Sequence, residues 1–385
     1  MSDSSRTIGR IYKESAWGET PSTGNKMTDI NFTSENLKQN TNTTRSNNIT
    51  SSPNTKSIER VGVGVAGDIG VEMNFGGALD LMLAAMLRGT FTSDVNISGS
   101  TFAAVASGNT ITDSGNGLGG ITVGQFIKVA GFTTAANNGF FRVTAVAAGT
   151  ITVEGGTLVD ESAGDSVTIS GSFCVNGTTE HSFLAEIERN DITKYKYFTG
   201  LEFEQGNFQI TPGSLVTGSF TTRGKQMFTA SATQGDGSPT GAVVTRSMNS
   251  VDNIQNVFKD AAASTLDITN FTFNINQNMR DKPAIGNLTT TGIGAGTIVG
   301  TVTLEAYLED YTLLEEYLNF TTGKLALAIQ DNLGNAYVFD FPTATPVDGE
   351  DPTGGLNQDV IQRIQYEISL NDLITGSVGI TRFAA

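Results

Sequence analysis

Apolar and polar residues alternate along most of this chain, and the alternation predicts many short strands. In "RVGVGVAGDIGVEMNF", Val61, Val63 and Val65, then Ile69, Val71 and Met73, hold one face at a period of two, the signature of a long strand. "HSFLAEIER", "KYFTGLEFEQGNFQITPG" and "LVTGSFTTRGKQMF" alternate in the same way, with Phe198, Leu201, Phe203 and Phe208 supplying a largely aromatic core. "LDITNFTFNINQNMR" is a strand whose register slips between Ile268 and Phe271, which predicts a bulge. "KLALAIQDNLGNAYVFDFP" reads as a hairpin turning at "DNLGN". Three stretches break the pattern. Leu79, Met82, Leu83, Met86 and Leu87 fall at i, i+3, i+4, i+7 and i+8, one apolar stripe of a helix with Asp80 in its first turn, Arg88 in its last and Gly89 placed to end it. Tyr311, Leu314, Tyr317 and Leu318 mark a second short helix, and Val251, Ile254, Val257 and Phe258 are spaced for a third.

Residues 92–173 differ in style. Charge is sparse, and "GQFIKVAGF", "GFFRVTAV", "GTITVEGG" and "DSVTISGSF" are brief alternating bursts bounded by Gly or Asn, with "NNG" at 137–139 a turn signal. A small, self-contained β-barrel or sandwich inserted there fits the length. The predicted organisation is a mostly β body, residues 1–91 and 174–385, with a few flanking short helices and a second β module at 92–173. Residues 40–55, "NTNTTRSNNITSSPNT", are nearly free of apolar side chains. They form either a surface loop or an arm that orders against a neighbouring subunit.

Gly is abundant at 45 residues of 385, and apolar residues reach only 38%, consistent with strands joined by tight turns. Net charge adds a sharper constraint. Residues 1–60 hold eight Lys/Arg against six Asp/Glu, whereas the other 325 hold 15 against 33. A body at −18 repels phosphate, so a groove that grips nucleic acid by charge is excluded. No stretch has the roughly 20 apolar residues of a membrane span, no signal peptide is expected, and this chain is not expected to insert into a membrane.

Catalytic chemistry has little to work with. His181 is the only histidine and Cys174 the only cysteine, so a Ser-His-Asp triad, a His-rich metal centre and an internal disulfide lack members. No G-x-S-x-G elbow occurs, and "QDNLGN" and "DGED" lack the order of a calcium loop. "GVGVAG" at 62–67 matches G-x-G-x-x-G only formally, because the period-two face runs straight through it and no helix opens inside it. No catalytic, cofactor or metal site is expected. One aromatic stands apart: Trp17, the only tryptophan, lies in the turn-rich "YKESAWGETP".

Taken in order, these features resemble the major tail tube proteins of tailed bacteriophages, of the siphophage type. "KESAWGETP" is similar to that family's E-x-x-[aromatic]-G-x-x-P segment. "INFTSENLKQNTNTTRSNNI", "GVGVAGDIGVEMNFGGALDLMLAAMLRG", "DITKYKYFTGLEFEQGNFQI", "VTGSFTTRGKQM", "DITNFTFNINQNMR", "IVGTVTLEAYLED", "QYEISLND" and "ITRF" follow the same plan over nearly the whole chain. Residues 137–172 resemble an accessory β module of phage tail proteins.

The resemblance implies a β-sandwich or barrel body in hexameric rings, stacked into a hollow tube with a shared inner barrel. It also implies a virion tail component, assembled in the host cytoplasm, whose partners are itself, the tape measure and the tail terminator. Genomic DNA would pass through without specific binding, and the accessory module would sit outside the tube. Trp17 is then expected at a subunit seam, with Gly18 and Pro21 fixing the turn around it; an intrachain core contact is the alternative. Asn42, Arg45 and Asn47 are expected at an interface as parts of the arm. Two other classes stay open: a β-rich virion or cell-surface adhesion module binding carbohydrate, and a glycan hydrolase on a β scaffold.

Overall fold

Seventeen residues of alternation, Lys194–Ile210, become the strand around which the body is organised. The structure is a computed structural model that describes residues 3–19, 26–49, 51–260 and 262–385. The first part of the long strand pairs with Phe183–Arg189 and Gln226–Ala230, and Phe183–Arg189 in turn pairs with Thr7–Lys13, which pairs with Thr28–Ile30. Its second part enters a larger antiparallel sheet. On one side come Thr217–Gly224, then Ile58–Glu72, then Lys38–Arg45. On the other come Ile268–Asn276, Val299–Tyr307, Ile361–Ile368, Ala336–Glu350, Gly323–Gln330 and Ile254–Lys259. The fold is mostly β, with two short helices, α1 at Ala78–Met86 and α2 at Thr312–Leu318. The large sheet curls over its core without closing: among the described residues Lys38–Arg45 at one border does not pair with Ile254–Lys259 or with the short Ala262–Ala263 beyond it at the other.

Aromatic rings knit the two halves of the curled sheet. Phe273 lies 5.0 Å from Phe208 and 4.9 Å from Phe339, centroid to centroid, and Phe203 reaches Phe183 at 5.4 Å, geometries in which ring pairs add to simple burial. Helix α1 lies against the long strand with Leu79, Met82, Leu83, Met86 and Leu87 all at 4% exposure or less. Gly206 makes that packing possible, since a Cβ there would stand 2.0 Å from the Met86 sulfur. The helix ends in a Schellman arrangement: Arg88 N–H donates to Ala85 and Gly89 N–H to Ala84, both at 3.0 Å. Arg88, not Gly89, takes the left-handed position, at φ 48°. Gly89 is there for space, because a Cβ would meet the Val175 carbonyl at 2.3 Å.

Two expected helical features change. Residues 251–258 do not form a helix; Ile254–Lys259 is a strand paired with Gly323–Gln330, and that partner lies too far along the chain for local spacing to reveal it. In α2 the buried residue is Leu313, while Tyr311 and Leu318 are exposed, so the inward face is rotated from the expected stripe. The expected bulge is present between Ile268 and Asn270, and the "DNLGN" hairpin closes through an Asp331 N–H bond to the Asn335 carbonyl.

Residues 95–171 build a separate antiparallel sheet around their own core, which includes Phe102, Ile111, Ile127, Phe141, Val143, Ile151 and Ile169. Strand Val167–Val175 belongs to both sheets: its first half pairs with Val95–Gly99, and Ser172–Val175 pairs with the last strand, Gly379–Phe383. A third cluster joins module to body, where Phe126 and Phe140 pack on Phe258, Phe383, Ala326, Ala328, Ala336 and Val338. At its edge Arg142, 2% exposed, grips Asp340 with two guanidinium nitrogens and donates to Glu154 at 2.8 Å, while Lys324 reaches Glu154 at 2.9 Å. The Arg142 guanidinium also stacks over Phe126 at 5.1 Å.

Candidate functional site

A surface for assembly has to come from unpaired backbone and uncovered apolar side chains, and one element supplies both. Strands Lys38–Arg45 and Ile58–Glu72 pair from Lys38–Ala66 out to Arg45–Ile58. The neighbouring strand Thr217–Gly224 covers the second of them only from Val65 to Glu72. Apart from a single bridge at Val63, the outer part of the hairpin therefore stands clear of the sheet with both edges unpaired, among the described residues. A lone two-stranded ribbon is marginally stable in water and a template for pairing with another chain. Ile58 and Val61 are 60% and 57% exposed on it, and Ile49 near its tip is fully exposed.

The stretch expected to be a surface loop or an arm begins as strand Lys38–Arg45 of a β-hairpin with Ile58–Glu72. Asn42 and Arg45 lie exposed on its first strand and Asn47 exposed just beyond. Residues 38–60 hold four cations (Lys38, Arg45, Lys56 and Arg60) and one carboxylate, Glu59. None of these five forms an ion pair among the described residues. The sequence pattern concealed Ile58 and Val61. Val61 continues the apolar series that leads into the core, and only the missing cover, together with the register slip opposite it between Asn42 and Thr43, leaves it in solvent.

Trp17 lies elsewhere, near the root of the arm. Its ring packs against Gly200, with the Lys225 ammonium 5.3 Å above it, and Lys225 follows the Gly224 that pairs with Val65. The turn is fixed by Glu14, whose carboxylate accepts from Gly18 N–H at 2.8 Å and Gly200 N–H at 2.9 Å. Trp17 is half-buried by its own chain, and its indole N–H is buried without an acceptor among the described residues. Pro21 lies outside the described residues. The structure does not gather Trp17 with Asn42, Arg45 and Asn47 into one patch.

Buried titratable groups serve structure. His181 precedes its strand rather than lying in it, donating from Nε2 to the Gly89 carbonyl at 2.6 Å; burial first of all pushes its pKa down. Burial pushes the Cys174 thiol up to about 12, so it is a poor nucleophile. Among the described residues no group of three or more His, Cys, Asp or Glu is placed to hold a metal ion, and no helix is long and apolar enough to cross a membrane. Strand Ile58–Glu72 runs unbroken through "GVGVAG", with no helix opening there.

Glu202 is a buried carboxylate displaced upward from its ordinary range. Burial raises its pKa to about 7, with Glu180 and Glu14 adding to the rise and Arg88, 4.0 Å away, opposing it. Because the folded value exceeds the unfolded one near 4.3, the folded state binds the extra proton. Its contribution to stability is complete below about pH 4 and lost as pH rises through about 7, a decline on the order of 3 kcal/mol. Urea unfolding of Glu202→Gln should accordingly show a flatter stability profile between pH 5 and 8 than the parent. Equal slopes in both proteins would mean that Glu202 titrates as an ordinary carboxylate.

Comparison with known proteins adds a family. A family model described as phage tail tube protein matches residues 4–369. No curated protein matches the chain.

Proposed function

The chain belongs to the phage tail tube protein family, a structural family of the virion tail, and from that premise we propose that it polymerises into hexameric rings stacked as a hollow conduit for DNA. The observation that carries this reading is the arm: a two-stranded ribbon whose outer part, beyond the bridge at Val63, is uncovered on both edges among the described residues, and that a free subunit has no reason to keep. Closed symmetry removes open sheet edges by pairing them between copies. Lys38–Arg45, at one border of the curled sheet, is an edge of that kind. The net charge of −18 over residues 61–385 supports passage of the genome, since an acidic wall repels phosphate and gives DNA nothing to adhere to.

The docked module supports an exterior position for residues 92–173, because it covers the outer face of the Gly323–Gln330 and Ala336–Glu350 hairpin. We place Trp17 beside a subunit seam, the neighbour covering the part of its ring that its own chain leaves exposed. The tape measure and tail terminator are the proposed further partners, and host cytoplasm the proposed place of assembly. Negative-stain microscopy of the concentrated protein tests the reading: hollow filaments about 100 Å wide are expected from six such bodies around a channel. Material that remains monomeric at every concentration, with no ring in any field, would overturn it.

A further inference from the structure

The arm leaves one end of the large sheet, and an apolar groove opens at the other. Strand register fixes both positions. At the arm's end Val65 pairs with Gly224, Arg223 with Glu202 and Gln205 with Asn276; at the opposite end Glu72 and Gln209 both pair with Thr217, and Ile210 with Phe271. The groove lies at this second end, lined by Ile210, Val251, Ile254, Val257, Ile268 and Phe271 around a volume of about 320 Å³. Phe271 is buried at its floor, while Val251 at the mouth is 71% exposed. A buried hydroxyl, Thr269 Oγ1, lies in the wall without a hydrogen-bond partner among the described residues. No Lys or Arg lines the groove, and the exposed Asp252 and Asp267 adjoin Val251 and Ile268.

We propose that this groove receives the arm of a second copy of the chain, with Ile58 and Val61 inserted among its aliphatic walls. The inference rests on the self-assembly reading above and names the contact that carries it. Charge matches across it: four cations and one carboxylate over residues 38–60 meet a groove whose lining residues Val251 and Ile268 are flanked by Asp252 and Asp267, and among the described residues the cations form no ion pair. Polarity matches as well, since beta-branched Ile58 and Val61 are exposed on the ribbon and the groove is lined by aliphatic side chains. Because donor and acceptor lie at opposite ends of one subunit, the contact is head-to-tail. Such heterologous contacts propagate instead of saturating at a dimer, as a stacked assembly needs.

Two single-cysteine variants test it, Val61→Cys and Val251→Cys, each at an exposed position, with the buried native Cys174 retained. Mixed, co-assembled and mildly oxidised, they should give a covalent two-chain product that neither gives alone. Val251→Asp should also raise the concentration needed for assembly by about tenfold or more, with an unchanged melting curve for the subunit. Tubes that form normally from the mixture without the cross-link, or from Val251→Asp at the parent's concentration, overturn the groove and leave self-assembly standing. A parent protein that never assembles overturns both.

Discussion

Replacing residues 43–61 by Asn-Gly is expected to leave a folded, soluble subunit that no longer polymerises. The cut falls where Asn42 pairs with Gly62, so the two new residues close the shortened hairpin as a tight type I′ turn. Nothing of the core is lost. The removed stretch contributes exposed side chains and a ribbon unpaired on its outer edges, and Val63 inward is untouched. Thermal and urea unfolding of the subunit should stay within about 1 kcal/mol of the parent, as for surface changes generally. Assembly, followed by sedimentation, should require at least about 100-fold more protein, the equivalent of losing about 2.7 kcal/mol per contact. Filaments of ordinary length at the parent's concentration would show that the arm is a passenger.

The second large effect is expected inside the molecule. Arg142→Met should destabilise the fold by about 3–5 kcal/mol, because Asp340, 1% exposed, loses the guanidinium that grips it. Burial pushes the Asp340 carboxyl up, and Arg142 holds it down part of the way. Without the arginine, the carboxyl's pKa rises further above its unfolded value. The variant's deficit is then full at pH 8 and shrinks as the pH falls and Asp340 takes up a proton. Arg142→Met with Asp340→Leu should recover most of the loss, since apolar residues of similar volume often replace a buried pair at no cost. An identical deficit at pH 5 and pH 8 would point to packing on Phe126 as the source instead.

The contrast between these two predictions follows what the sequence could and could not disclose. Apolar periodicity is a record of burial, so it located the core: the α1 stripe, the aromatic positions of the long strand and the slip near Ile268 were all readable. Lys38–Arg45 carries no such record. "KQNTNTTR" is polar throughout, and it is a strand because it borrows the hydrogen bonds of Ile58–Glu72. Residues 251–258 failed for the converse reason. Their spacing fits a helix, yet Ile254–Lys259 is claimed by a partner some seventy positions later, and that long-range pairing outweighs local preference. The module's boundary was legible only as a change of style. The strand that carries Ser172 and Val175 into the body's sheet belongs to both units, and Arg142 and Asp340, nearly two hundred residues apart, gave no sign of each other.

Joint ownership of Val167–Val175 has a consequence for how the particle should look. A decoration hung on a flexible tether blurs when many images are averaged, because each copy points its own way. Here one continuous ribbon, reinforced by Phe126, Phe140 and Arg142, forbids swivelling. The knobs on an assembled filament should therefore sharpen together with its wall, and their spacing alone would report the helical lattice.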